Sequence, residues 1–159
     1  LMTAATALNQ TKKPITAPKA DQLDAESLFD WLGLRPGQKL VATRINADTG
    51  VLNGLRIRLQ QTVDGRQIAI SLDSYAVTPQ TGAQTDPVLH LSFGQSRDGA
   101  VLKLRQVQWR HQRIALDADK LDSVLADVAR ISQSLRRQYL PAITSLEALV
   151  SASVTEKEA

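Results

Sequence analysis

Two histidines, a trio of closely spaced aspartates and a scatter of arginines are the side chains in this sequence that could do chemistry. They are densest in WRHQR, residues 109–113, which sets an indole, two guanidiniums and an imidazole into five positions. Such a group could hold a nucleic acid or an anion, or it could simply be the turn where a strand gives way to a helix. His90 alternates outward between Leu89 and Leu91 on a strand, and His111 falls in the turn after Trp109. Neither has a carboxylate at the spacing that a zinc site or a Ser–His–Asp arrangement needs. Asp117, Asp119 and Asp122 gather where a helix begins, a position the helix dipole favours for carboxylates. A calcium loop would need a longer oxygen-rich run with a glycine at its turn and a distal Glu. NADTGVLNG carries two glycines but no lysine and no strand–loop–helix context, so it fits a hairpin turn better than a phosphate loop. These residues predict no catalytic group, no metal and no cofactor.

The cations form a more coherent pattern. Arg44, Arg56, Arg58, Lys103 and Arg105 take strand positions that face away from the apolar side, and Arg110 and Arg113 would extend them into a positive stripe. One reading is a solvated face that blocks edge-to-edge association. The other is a contact for an anionic surface: lipid headgroups, nucleic acid or an acidic partner. Sheets that bind RNA set stacking aromatics among their cations. Aromatics are 4% of this chain, and Phe93 and Trp109 look inward, which makes nucleic acid the weaker form of the second reading.

Positioning these side chains requires a folded body, and 159 residues suffice for one domain with a real core. The 43% hydrophobic and 22% charged content is that of an ordinary globular chain. Nineteen Lys and Arg against sixteen Asp and Glu leave a net charge of +3, a mild bias spread along the sequence. The absence of cysteine excludes disulfides and thiolate metal sites. No apolar run reaches the roughly 18 residues of a membrane span. Residues 1–20, LMTAATALNQTKKPITAPKA, lack the periodicity to bury anything and read as a flexible linker or tail. Leu1 stands where an initiator would, which fits either a remnant ahead of Met2 or the loss of an upstream signal or anchor. A periplasmic or envelope location and a cytoplasmic one are both compatible with this start.

The first element is DAESLFDWLG, a short helix capped by Asp24 and stopped by Gly33, with Leu28, Phe29, Trp31 and Leu32 along its apolar side. LRPGQ then turns the chain. Strands follow at 39–45 and 54–63, joined by a turn at 47–50. If Asp64 and Gly65 make a two-residue turn, Val63 faces Arg66, Leu59 faces Ile70, Ile57 faces Leu72, and Arg56 meets Asp73 on the other side. The polar, proline-bearing TPQTGAQTDP, 78–87, reads as a loop. Strands at 88–93 and 100–109 form a second hairpin around 96–99, with Phe93 facing Leu102, Leu91 facing Leu104 and His90 opposite Arg105. Beyond Leu104 the alternation changes parity, and a bulge near Gln106 would return Val107 and Trp109 to the core.

A short extended piece leads into a helix capped by Asp117 or Asp119 and striped by Leu121, Val124, Leu125, Val128, Ile131 and Leu135. Pro141 ends or kinks it. A shorter helix continues through Ile143, Leu146, Leu149 and Val150, and residues 153–159 read as a disordered tail. Apolar surplus at Leu140, Ile143, Leu149 and Val150 would let this last helix pair with a second copy. The fold expected is α+β: a four- to five-stranded antiparallel meander on a long C-terminal helix, with a short N-terminal helix, in one domain over 21–152.

The order of a strand in DGAVLKLRQVQW, a short extended piece and the helix DKLDSVLADVARISQSLRRQYL resembles that of small bacterial envelope lipoproteins and lipid-binding modules. In those, a curved antiparallel sheet wraps a long C-terminal helix. The resemblance covers about the last seventy residues and is one of pattern. It implies a non-enzymatic envelope module with an apolar groove between sheet and helix, lined here by Leu91, Phe93, Leu104, Trp109, Leu121, Leu125 and Val128. That groove would take a lipid acyl chain or a segment of a partner protein. The sequence departs from a lipoprotein in having no lipobox cysteine. A cytosolic adaptor or nucleic-acid-associated protein using the basic sheet face is the alternative.

Overall fold

The computed structural model describes residue 19, residues 22–99 and residues 101–158, the side chains of 152–158 excepted. The expected linker, 1–20, lies outside these residues apart from Lys19. The described residues form three helices and six strands: α1 (Ala25–Leu32), β1 (Lys39–Ile45), β2 (Leu52–Gln61), β3 (Gln67–Thr78), β4 (Gly82–Gln95), β5 (Leu102–Trp109), β6 (Gln112–Ile114), α2 (Ala118–Arg136) and α3 (Thr144–Glu158). The strands make one open antiparallel sheet in the order β1-β2-β3-β4-β5-β6, so each is bonded to its neighbour in sequence. The α+β class is as expected, with more strands than the four or five anticipated.

The extra strand and the longer sheet have local causes. Residues 112–114, the short extended piece before α2, pair with 107–109 as β6. Residues 78–87 are not a loop: β3 and β4 continue through them, pairing Ser74 with Asp86 and Thr78 with Gly82. Pro87 is accommodated because the register shifts between Leu72 and Asp73, where Leu72 faces Leu89 and Asp73 faces Pro87. Val88, the additional residue of that bulge, is buried.

The β2–β3 pairing matches the hairpin derived from the sequence: Leu59 faces Ile70, Ile57 faces Leu72 and Arg56 faces Asp73. The strands stop sooner than expected, however, and Val63 stands fully exposed in the turn. Gly65 there takes the left-handed backbone (φ 75°) that favours glycine. The β4–β5 register differs from expectation. Phe93 faces Leu104, Leu91 faces Val107 and His90 faces Gln108, because the connection is closed by the Ser96 N–H donating to the Val101 carbonyl, one residue further along than a loop over 96–99 would place it. A bulge does restore the parity: Phe93 pairs with Leu104 and Ser92 with Gln106, leaving Arg105 as the added residue.

Among the described residues, helices cover one face only. The α2 stripe is buried throughout, with Leu121, Val124, Leu125, Val128, Ile131 and Leu135 all at or below 5% exposure, and α2 lies across β1 and β2 while α3 reaches β6. Asp117 caps α2, its side chain accepting from the Lys120 N–H at 2.7 Å. The helix ends before Pro141. Gln138 adopts a left-handed backbone (φ 65°), the Tyr139 N–H bonds to the Ser134 carbonyl, and the Gln138 N–H bonds to the Leu135 carbonyl, which closes the helix as glycine usually does. The tail expected over 153–159 is helical as far as Glu158; SVTEKE contains neither Gly nor Pro to break it. The helix α1 has the anticipated caps, Asp24 accepting from the Ser27 N–H and Gly33 at φ 70°. It is tied to α2 by the fully buried Ser132, whose hydroxyl donates to the Leu32 carbonyl at 2.7 Å, and by the Arg136 guanidinium on the Gly33 carbonyl. Both bonds satisfy carbonyls that a helix C-terminus leaves without partners.

Candidate functional site

WRHQR is a hairpin tip between two strands, not a strand-to-helix junction. Trp109 ends β5 and pairs with Gln112, so Arg110 and His111 alone make the turn. Arg110 holds φ 55°, and its N–H donates to the Val88 carbonyl. Its guanidinium lies 5.0 Å from the Trp109 ring centroid and pairs with Glu147 of α3 at 3.0 Å. Arg110 therefore clamps the sheet to the last helix and is not part of the expected stripe. Arg44 also leaves the stripe. It pairs with Asn53 and shares the pleat side of Leu40 and Ala42, exposed toward the end of the strand.

The other five cations share the helix-free face, and register adds Lys39. One row of side chains on this face runs across all six strands: Lys39, Arg58, Ser71, His90, Gln108 and Arg113. The next row carries Val41, Arg56, Asp73 and Pro87. Lys103 faces Gly94, and the Arg105 side chain lies over Gly94, where an added Cβ would meet its Nε at 2.7 Å. The strand residues of this face thus carry Lys39, Arg56, Arg58, Lys103, Arg105 and Arg113 against the single carboxylate of Asp73.

Asp73 organises the centre. Arg56 and Arg58 each place an amino group 3.1 Å from its Oδ2, and the carboxylate is almost covered while the arginines stay half-buried. Two guanidiniums on one carboxylate leave the cluster positive. Beside it, Ser71 Oγ and His90 Nδ1 are 3.1 Å apart, a bond in which either atom can donate according to the imidazole tautomer. This pair does not supply what acyl transfer requires. Asp73, the carboxylate on these strands, is held by arginines. Ser71 is paired on both sides within the sheet, by Arg58 and by His90, so its strand offers no free pair of amides as an oxyanion hole. Among the described residues no three His, Asp or Glu side chains converge as a metal site, and the Asp117, Asp119 and Asp122 cluster serves the start of α2.

The expected apolar groove is mostly closed. Leu91, Phe93, Leu125 and Val128 are fully enclosed, and Trp109 is nearly so, because α2 seats directly on the sheet. Leu104 and Leu121 do line an opening. It forms a groove of about 390 Å³ between the start of β5 and the start of α2, completed by Leu102, Leu116 and Asp117. It exists because β6 reaches only residues 107–109 of β5, so that among the described residues no strand flanks 102–106 on the side away from β4.

Lys39 and the Ser71–His90 bond escaped the sequence reading. Both need a register the sequence reading did not contain, β1 on β2 for the lysine and β3 on β4 for the bond. No helix among the described residues is long and apolar enough to cross a membrane. No protein family, curated protein or solved structure shows significant similarity to this chain.

Proposed function

We propose that this chain is a non-enzymatic binding module of the bacterial cell envelope whose working surface is the helix-free face of the sheet, and that it docks there on anionic lipid headgroups. The observation that carries this reading is that, among the described residues, the strands of this face present six cations and one covered carboxylate, and no helix lies over them. Each Lys or Arg near an anionic membrane contributes about 1 kcal/mol, so several together give weak, salt-sensitive attachment. A shallow hollow of about 210 Å³, where Ala69 and Ser92 leave the face low beside Gln60 and Gln67, offers amide and hydroxyl groups to a headgroup. Tyr75, lying over Gly54, is the aromatic on this face, which does not suit stacking of successive bases. The envelope assignment draws on the resemblance in strand and helix order. Co-sedimentation with phosphatidylglycerol-containing and purely phosphatidylcholine vesicles tests the reading. Binding confined to the anionic vesicles and weakening with added salt supports it. Equal binding to both, or tighter binding to single-stranded nucleic acid, overturns it.

A second reading is favoured by the groove between β5 and α2, where Leu104 and Leu116 remain half-exposed. There the module would hold an apolar ligand, such as part of an acyl chain, or a partner protein's side chain. Native mass spectrometry of the purified chain tests this: bound lipid mass lost on Leu104→Glu supports it, and a ligand-free spectrum counts against it.

A further inference from the structure

The two edges of the sheet differ in how they are protected. At one end β6 is three residues long and the open half of β5 carries a bulge at Arg105, devices that discourage a further strand. At the other end β1 is seven residues, KLVATRI, regular through its whole pairing with β2 and free of proline. The Leu59 N–H donates to the Gln38 carbonyl and the Asn46 N–H to the Val51 carbonyl. These two bonds fix the alternation between them: Leu40, Ala42 and Arg44 bond to β2, while Lys39, Val41, Thr43 and Ile45 turn their amides and carbonyls away from it. No strand among the described residues lies on that side. Ile45 is 64% exposed, one of few large apolar side chains left so open.

We propose that the occupant of this edge is a second copy of the chain, pairing β1 with β1 antiparallel about a twofold axis at Ala42. The self-complementarity of the strand selects this partner. In the register that overlaps all seven residues, Lys39 faces Ile45, Leu40 faces Arg44, Val41 faces Thr43, and Ala42 faces its own copy. The outward-turned residues then meet one another as hydrogen-bonded pairs. No cation stands opposite a cation, and the stems of Lys39 and Arg44 cover Ile45 and Leu40. The two sheets become one across the axis, an isologous contact that closes at two copies. The last helix is not required, since Leu146 and Val150 are fully enclosed within their own copy and Leu140, Ile143 and Leu149 pack against the same core. The proposal stands apart from the lipid reading and survives its failure.

The test is the mass of the full chain by analytical ultracentrifugation over a wide concentration range. A concentration-dependent dimer is expected. Thr43→Pro removes an amide that β2 does not use and should abolish the dimer; Ile45→Lys sets a cation opposite Lys39 and should do the same at an exposed position. Should the proline variant not fold, Ile45→Lys remains decisive, together with a mixture of Val41→Cys and Thr43→Cys chains. In a protein without native cysteine, that mixture should yield a mixed disulfide across the axis under mild oxidation. A wild-type chain that stays monomeric at every concentration overturns the proposal, as does a dimer indifferent to Ile45→Lys or a failure of the mixture to cross-link.

Discussion

Neighbouring rows of the same strands hold this sheet together by different physics. On the helix side, Leu59, Ile70, Leu91, Val107 and Ile114 form a row in which every member is at or below 4% exposure. One residue along, on the opposite face, the row is Arg58, Ser71, His90, Gln108 and Arg113. The first row is stabilised by removing hydrocarbon from water, about 1.5–3 kcal/mol for each large side chain fully enclosed. The second is held by directional bonds around Asp73 and Ser71, and its charges do not balance. The difference teaches where the fold's stability resides, and which face the proposed lipid contact would use. The helix-side face buries the hydrocarbon of these strands, while the open face keeps its charges at the surface.

Substitutions on the two faces should therefore part company. Leu125→Ala, which opens a cavity under α2, should cost about 3 kcal/mol in urea denaturation and leave vesicle binding of the folded fraction unchanged. Asp73→Ala should cost less, about 1–2 kcal/mol, because Arg56 and Arg58 keep part of their hydration when the carboxylate is gone. It should also tighten binding to anionic vesicles, since it removes the one carboxylate among the described strand residues of this face. A variant that destabilised the fold and weakened vesicle binding together would erase the distinction between the faces. Lys103→Glu combined with Arg105→Glu should leave the melting temperature nearly unchanged and weaken vesicle binding by roughly thirtyfold or more, about 2 kcal/mol.

The smallest effect belongs to the β2–β3 turn. The Thr62 hydroxyl, donating to Asp64 Oδ1 at 2.6 Å, holds that carboxyl below the ordinary aspartate value, and the Arg66 N–H adds to it. A group depressed in the folded state adds stability above its unfolded pKa and loses it as pH falls through the folded one. Asp64→Asn should thus lower stability slightly near neutral pH, with the gap to wild type closing in acid. A gap that widened in acid would contradict the turn geometry.

Legibility in the sequence followed the core. The β2–β3 register could be read because Leu59, Ile57, Ile70 and Leu72 must share a buried face, and a slip of one residue would expose all four. The α2 stripe was readable for the same reason. Residues 78–87 were not, because there β3 and β4 run on with half-buried or exposed side chains and no apolar alternation marks them as strands. The same stretch concealed part of the candidate site. Arg56 opposite Asp73 followed from a legible hairpin, whereas Ser71 beside His90 depends on a pairing whose connecting residues resembled a loop. The β4–β5 offset was hidden by a polar connection whose position along the chain the hydrophobic pattern does not fix.

Sequential strand order also bears on how quickly the molecule forms. Every sheet pairing can close from neighbouring hairpins, so the meander costs little chain entropy to assemble. The slow contacts are the few that join opposite ends of the chain, among them the Ser132–Leu32 bond spanning 100 residues. Docking of α2 across β1, β2 and α1 is therefore the step expected to govern the folding rate, and a shortened chain beginning after Gly33 should acquire sheet signal rapidly while unfolding with less cooperativity than the full chain.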